Sequence, residues 1–305
     1  RRQRQMCIRD RYTTAPVSEW LGSHVYAALG IPVHETVLGI RDGRIVCACR
    51  DFTFPDSRLV NFHDLKNSLS DDEPGFTEDA STGSGVVLAD VRSAIHRIPV
   101  LRSIDGVSDR FWDMFVVDAF IRNIDRNNTN WGVLRNPRGE FSLAPVYDNG
   151  NSFNNKRTDS GIERRLANPD LIRQDALDVR SCYVTDRGKP IAPLKYLASG
   201  QDEECTKALD RFMERYDPRS FHDLLGSIPS MSHGLTVVPD GFHEYHRRVC
   251  DYRYEHAFME AWRDLHPTVG VPSSPEASVP EPLPDPDPSV LPSSSVPTCF
   301  DGPGM

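Results

Sequence analysis

Residues 123–131 read Asn123-Ile124-Asp125-Arg126-Asn127-Asn128-Thr129-Asn130-Trp131, and residues 144–150 read Ala144-Pro145-Val146-Tyr147-Asp148-Asn149-Gly150. The fold is decided around these two stretches. Upstream of them, Phe111, Phe115 and Ala119, with Trp112, Val116 and Phe120, recur at i, i+4 and predict a buried helix from about Ser108. That helix must end near Asn123, because the Asn and Asp side chains that follow compete for backbone hydrogen bonds. Asp125 and Asn130 then lie on one loop. Residues 131–134 and 141–146 read as short apolar strands around the turn signal Asn136-Pro137-Arg138-Gly139. A hairpin centred there brings its open ends back together, so Asn130 and Asp148 are expected side by side.

One carboxylate on a loop, with a carboxamide and a second carboxylate across a hairpin mouth, is a set of hard oxygen donors. Such donors suit Mg²⁺, which is held by one or two carboxylates together with substrate phosphates. Phosphoryl transfer needs a carboxylate to accept a hydroxyl proton and metal ligands to bridge the phosphates. The spacing from Asp125 to Asn130 equals that of Asp and Asn in the protein-kinase loop H-R-D-x-x-x-x-N, and Asp148 takes the part of the metal-binding Asp. The bland alternative is an Asx-rich loop that merely caps a helix and a hairpin. The spacing alone would fit that alternative. The joint pattern of buried helix, spaced Asp and Asn, hairpin and Tyr147-Asp148-Asn149-Gly150 is much rarer and favours catalysis.

Working outward, Pro16-Val17-Ser18-Glu19 opens a helix with Ser18 as its cap, and Gly30 closes it. Residues 34–40 and 44–52 alternate around Asp42-Gly43, a strong hairpin signal. Cys47 and Cys49 share one face of that hairpin and read as packing residues. Residues 61–87, with Ser70-Asp71-Asp72-Glu73-Pro74 and Ser81-Thr82-Gly83-Ser84-Gly85, read as a mobile loop. Helices follow at 168–179, 202–216, 218–228 and 241–265; His243 and His246 in the last have no third metal ligand spaced nearby. A small sheet followed by a helical body is an α+β layout.

Bulk properties narrow the function classes. Over 305 residues, 35 Lys and Arg against 44 Asp and Glu give a formal charge of -9, which argues against nonspecific nucleic-acid binding. Seven cysteines form no CxxC pair and read as reduced thiols. No apolar run approaches the ~20 residues that span a bilayer, and no signal peptide opens the chain. A soluble, cytoplasmic protein is expected, with no membrane contact. Residues 1–11 follow no structural period and read as an artefact or a disordered tail. Residues 267–305 are rich in Pro, Ser, Asp and Glu, lack Lys and Arg, and are expected to be disordered. Between them the expected organisation is a partial N-lobe at 12–60, the loop at 61–87, and a helical C-lobe at 88–266.

The segments Phe120-Ile121-Arg122-Asn123-Ile124-Asp125-Arg126, Asn130-Trp131-Gly132 and Leu143-Ala144-Pro145-Val146-Tyr147-Asp148-Asn149-Gly150 resemble the catalytic and metal-binding segments of HipA-like serine/threonine kinases. More loosely, the resemblance runs from Ser18-Glu19 to the last helix. It implies a protein-kinase-like fold, ATP and Mg²⁺ as cofactors, and a protein hydroxyl as acceptor. It makes Asp125 the catalytic base and assigns Mg²⁺ to Asn130 and Asp148. By the same resemblance, Cys49-Arg50-Asp51-Phe52 is the hinge against which adenine lies, so Asp51 and Phe52 are cofactor-binding candidates. The helix carrying Glu19 corresponds to the kinase αC helix, and Glu19 is the candidate partner of the ATP-binding lysine.

Three departures qualify the resemblance. Asn127 stands where the family often has His, and Asp148-Asn149-Gly150 replaces the protein-kinase D-F-G, so no Phe-based switch is inferred. The glycine-containing phosphate loop and the ATP lysine are expected before residue 12, and nothing there fits; the chain reads as an N-terminally truncated fragment, inactive as it stands. The pattern is also similar to type II phosphatidylinositol 4-kinases, which leaves a lipid or small-molecule kinase open, as is a catalytically dead pseudokinase or binding module. The sequence does not name the protein substrate or say whether an antitoxin-type partner exists.

Overall fold

The helix foreseen from Phe111, Phe115 and Ala119 spans Val107–Ile121 in the computed structural model, which describes residues 13–70 and 85–267. Most of its residues are buried, because it is apolar on nearly every side. It ends where Arg122 turns left-handed at φ 57 and the Asn123 amide returns to the Asp118 carbonyl. The predicted hairpin follows. Gly132–Arg135 and Phe141–Leu143 pair antiparallel with Val133 opposite Leu143, and Gly139 turns the chain at φ 83.

A third strand, Arg58–Asn61, lines the other edge of this sheet, with Asn61 opposite Gly132. A Cβ at position 132 would stand 2.2 Å from the Val60 carbonyl oxygen, so glycine is what permits the approach. The sequence places 61–87 in a loop, and the structure corrects part of that. Phe62–Ser70 is a helix, and Val86–Val87 is a strand running parallel to Tyr183–Val184. Residues 71–84 fall outside the described ones. Tertiary packing supplies what this short helix, with Asp64, Asn67 and two serines, lacks in propensity: Phe62 is fully buried and stacks on Trp131 at 4.1 Å between ring centroids.

The first helix is Ala15–Ala28, and Ser18 is buried within it rather than capping it. Proline is tolerated in a helix's first turn, where its missing N–H has no partner to lose, so the helix begins before Pro16. Gly30 closes it at φ 70. The next hairpin, Thr36–Arg41 with Arg44–Cys49, turns at Asp42 and Gly43, both left-handed, as expected. Cys49 on its second strand is exposed and Cys47 only half-buried, so the expected packing role fails for Cys49.

The helical body contains Asp159–Leu166, Pro169–Leu177, Pro193–Ser199, Glu203–Arg215, Pro218–Gly226 and Phe242–Arg253. The last continues through a π turn, Tyr254–Phe258, into Met259–Leu265. Asp202 and Asp217 each cap a helix by accepting two backbone amides. Phe120 carries the buried helix into this body through ring contacts with Phe212, Tyr216, Phe221 and Phe258. Truncating such a ring to alanine costs about 3–5 kcal/mol.

Contacts divide the chain into residues 1–266 and 267–305. The expectations for residues 1–11 and, Pro267 apart, for 267–305 lie outside the described residues. Among the described residues, no helix is long and apolar enough to cross a membrane.

Candidate active site

Arg126 organises the loop that carries Asp125. It is 1% exposed, and its guanidinium reaches five oxygens. It donates to both Asp118 carboxylate oxygens at 2.8 and 3.1 Å, and to the Asn130 carbonyl at 3.1 Å. It also donates to the Tyr147 carbonyl and to Asn149 Oδ1. One buried cation thus staples the end of the helix, the loop and the segment leading into Asp148. Burial alone would favour the neutral guanidine. The charges of Asp118, Tyr26 and Asp148 and the Asp118 hydrogen bond outweigh it, holding the group protonated well above its ordinary value. Tyr26 completes the cluster by donating to Asp118 Oδ1 at 2.8 Å; burial, then Asp118, push its phenol well above the usual range.

Asp125 is fixed from two sides. Its carboxylate oxygens accept from Asn127 Nδ2 at 2.9 Å and from Asn151 Nδ2 at 2.8 Å. Asn130 Nδ2 donates to the Asp125 carbonyl at 2.8 Å. That leaves Asn130 Oδ1, with a 3.3 Å contact from the Thr129 hydroxyl, as the side-chain oxygen able to ligate. Asp148 sits left-handed at φ 59, a conformation uncommon outside glycine. The preceding Tyr147 donates its hydroxyl to the Thr129 carbonyl at 3.1 Å and to Asn61 Oδ1 at 3.2 Å. The Asp125–Asn130 loop and the Asp148 segment are therefore joined twice, through Arg126 and through Tyr147. A carboxamide oxygen and a carboxylate are donors that fit Mg²⁺.

A polar path runs from this cluster to the first helix. Asn149 Nδ2 donates to Ser23 Oγ at 3.0 Å, Ser23 Oγ lies 3.1 Å from His34 Nε2, and His34 Nε2 lies 2.8 Å from Glu19 Oε1. Gly22 lets the helix approach, since a Cβ there would come within 2.8 Å of Asn149 Cβ. Glu19, assigned by resemblance to a lysine, is here buried against His34. Phe52 packs beside this path, its ring centroid 5.5 Å from that of Tyr147 and 6.5 Å from that of His34. Asp51 is not gathered with them. Its exposed carboxylate accepts from the Thr53 hydroxyl at 2.6 Å and amide at 2.9 Å, bonds that hold it below the usual carboxylate range. The Cys49 thiol is pushed below its ordinary value by a hydrogen bond with Cys47, against burial; the charges of Glu19 and Asp148 also reach it.

Sequence reasoning gave no role to Asp118, Arg126, Asn149, Asn151, Ser23 or His34. For Asp118 a signal existed: it is the one acid between Val116, Val117, Ala119 and Phe120. A lone carboxylate on an apolar helix face needs a buried partner.

No family model matches the chain. The serine/threonine-protein kinase CtkA of Helicobacter pylori (strain J99) is 33% identical over 223 residues, which is 72% of this chain and 66% of that protein. The crystal structure of the H. pylori proinflammatory kinase CtkA matches with a TM-score of 0.75 at 29% identity, covering 84% of this chain and 89% of that one. The chain belongs to the CtkA-like serine/threonine kinases. It spans about two thirds of the length of this curated relative. HipA of Shewanella oneidensis MR-1, solved with HipB and operator DNA, matches this CtkA-like chain with a TM-score of 0.50 at 14% identity, over 83% of this chain and 58% of that one. That likeness is one of fold, and the fold is protein-kinase-like, as the resemblance implied.

Proposed function

We propose that the protein transfers the γ-phosphoryl group of ATP, with Mg²⁺, to a Ser or Thr hydroxyl of a protein. The observation that carries this reading is the double tie, through Arg126 and Tyr147, between the Asp125–Asn130 loop and the Asp148 segment. Asp125, oriented by Asn127 and Asn151, accepts the acceptor's hydroxyl proton as that oxygen bonds to phosphorus and the bond to the departing diphosphate breaks. Asn130 Oδ1 and the Asp148 carboxylate are the residues to hold Mg²⁺, which when bound neutralises charge across the nucleotide phosphates. Phe52 offers its ring to the adenine, while Asp51, with its carboxylate engaged by Thr53, offers only backbone. Glu19, at the far end of the polar path and 2.8 Å from His34, is assigned to the cofactor side of the site.

The test uses protein expressed from its complete reading frame and ATP labelled at the γ-phosphate. Label should move onto Ser or Thr, and Asp125→Asn should slow transfer by about 10²–10⁴-fold at an unchanged melting temperature. Equal transfer by wild type and Asp125→Asn rejects the assignment. Label appearing only on phosphoinositide would move the acceptor class to lipid.

A further inference from the structure

Three side chains beside the proposed Mg²⁺ ligands offer a different kind of donor. The ligating atoms of Glu19, His34 and Cys49 all lie within 4.8 Å of one another. They come from three separately fixed elements. Glu19 is in the first helix. His34 is held by its main chain, its amide donating to the Val146 carbonyl. Cys49 is set by the hairpin register, opposite Thr36, with the next amide, that of Arg50, bonded to the Glu35 carbonyl. Glu19 and His34 are buried while Cys49 is exposed, so the trio is anchored at one end and open to solvent at the other.

We propose that Glu19, His34 and Cys49 form a binding site for Zn²⁺, distinct from the Mg²⁺ site. A carboxylate, an imidazole and a thiolate are the three ligand types zinc takes. Mg²⁺ demands an octahedral oxygen shell that a thiol and an imidazole do not provide. Zinc bonds of about 2.0–2.3 Å set tetrahedral ligand atoms roughly 3.3–3.8 Å apart. Within that 4.8 Å span Cys49, on an exposed strand end, closes by about an ångström, while the Glu19–His34 pair at 2.8 Å opens slightly. Three protein ligands leave the fourth position to water, the arrangement of an exchangeable rather than a closed structural site. Binding releases the thiol proton to solvent. It also takes Glu19 from His34, so the bound metal and the polar path running to Asn149 compete for the same two side chains.

The probe is Co²⁺, whose absorption reports ligand type and geometry, titrated into reduced, untagged protein from the complete reading frame. One equivalent should give tetrahedral ligand-field bands and a thiolate charge-transfer band, both abolished by one equivalent of Zn²⁺. Cys49→Ser should remove the charge-transfer band, and Cys49 is exposed, so the fold should survive; a melting curve checks that. Glu19→Gln should weaken Zn²⁺ by more than the ~10–100-fold that loss of an outer-shell partner costs. Cys47→Ala should retain the band. Absence of thiolate absorption in the wild type, or a band that survives Cys49→Ser, overturns the site. None of these readouts depends on kinase activity.

Discussion

The polar groups behind the Asp125 loop and those along the first hairpin are similar in chemistry and opposite in construction. Behind the loop, Arg126 is sealed from water and every donor it points has an oxygen to meet. Along the hairpin, Arg50 and Glu35 form a 2.7 Å ion pair at 71% and 70% exposure. In water such a pair gains little, because solvent screens it and two long side chains lose freedom. In the interior the same pair is indispensable once made, because removing one partner strands a charge. The lesson is that the site's rigidity is built into the helical side, while the hairpin side is left adaptable.

The sharpest way to break this comparison is Arg126→Met. It leaves Asp118 buried without its cation and should cost roughly 3–5 kcal/mol in chemical denaturation. A loss under about 1 kcal/mol would show that the cluster is not what holds the loop.

The next effect separates burial with an ion partner from burial among rings. His246 packs against Phe153, Phe242 and Tyr245, and burial lowers its pKa to about 3. Its folded value lies below the unfolded value of about 6.5. Between these the unfolded chain binds the proton and the folded one does not, so stability is full above pH 6.5 and falls as pH drops toward 3. From pH 7 to pH 5 wild type should lose about 2 kcal/mol more than His246→Phe does, measured by denaturant unfolding at both values. Parallel pH curves would remove this role from His246.

Smallest of all should be Arg50→Ala, within about 1 kcal/mol of wild type and insensitive to salt beyond that. A loss comparable to that of Arg126→Met would erase the distinction between the two regions.

What the sequence made legible follows the same division. The hairpin around Asn136-Pro137-Arg138-Gly139 and the turn at Asp42-Gly43 could be read because turn chemistry is local and each strand shows its own alternation. The expectation that Asn130 and Asp148 lie side by side rested on that hairpin, and the placing of Asp125 and Asn130 on one loop rested on where the buried helix ends. Arg126 was illegible because an arginine in an Asn-rich loop looks solvated until its burial is known. The helix Phe62–Ser70 was missed because it is held by Trp131 far along the chain, not by its own residues. Ser18 was misread as a cap because a Ser-Glu pair after a proline imitates a helix start one turn late. His246 was weighed only as half of a metal pair lacking a third ligand, since nothing in its neighbours announces that Phe153 comes to cover it.

The claim that Asp125 and Asp148 serve one phosphotransfer site in different roles is tested most directly by calorimetric titration of Mg-ATP, in protein from the complete reading frame, into wild type, Asp125→Asn and Asp148→Asn. The account predicts near-wild-type binding by Asp125→Asn, because its role is realised in the transition state. It predicts weaker binding by Asp148→Asn, partly recovered at raised Mg²⁺, because a charge has been taken from the metal site. Identical binding by all three proteins, or no binding by the wild type, would contradict it.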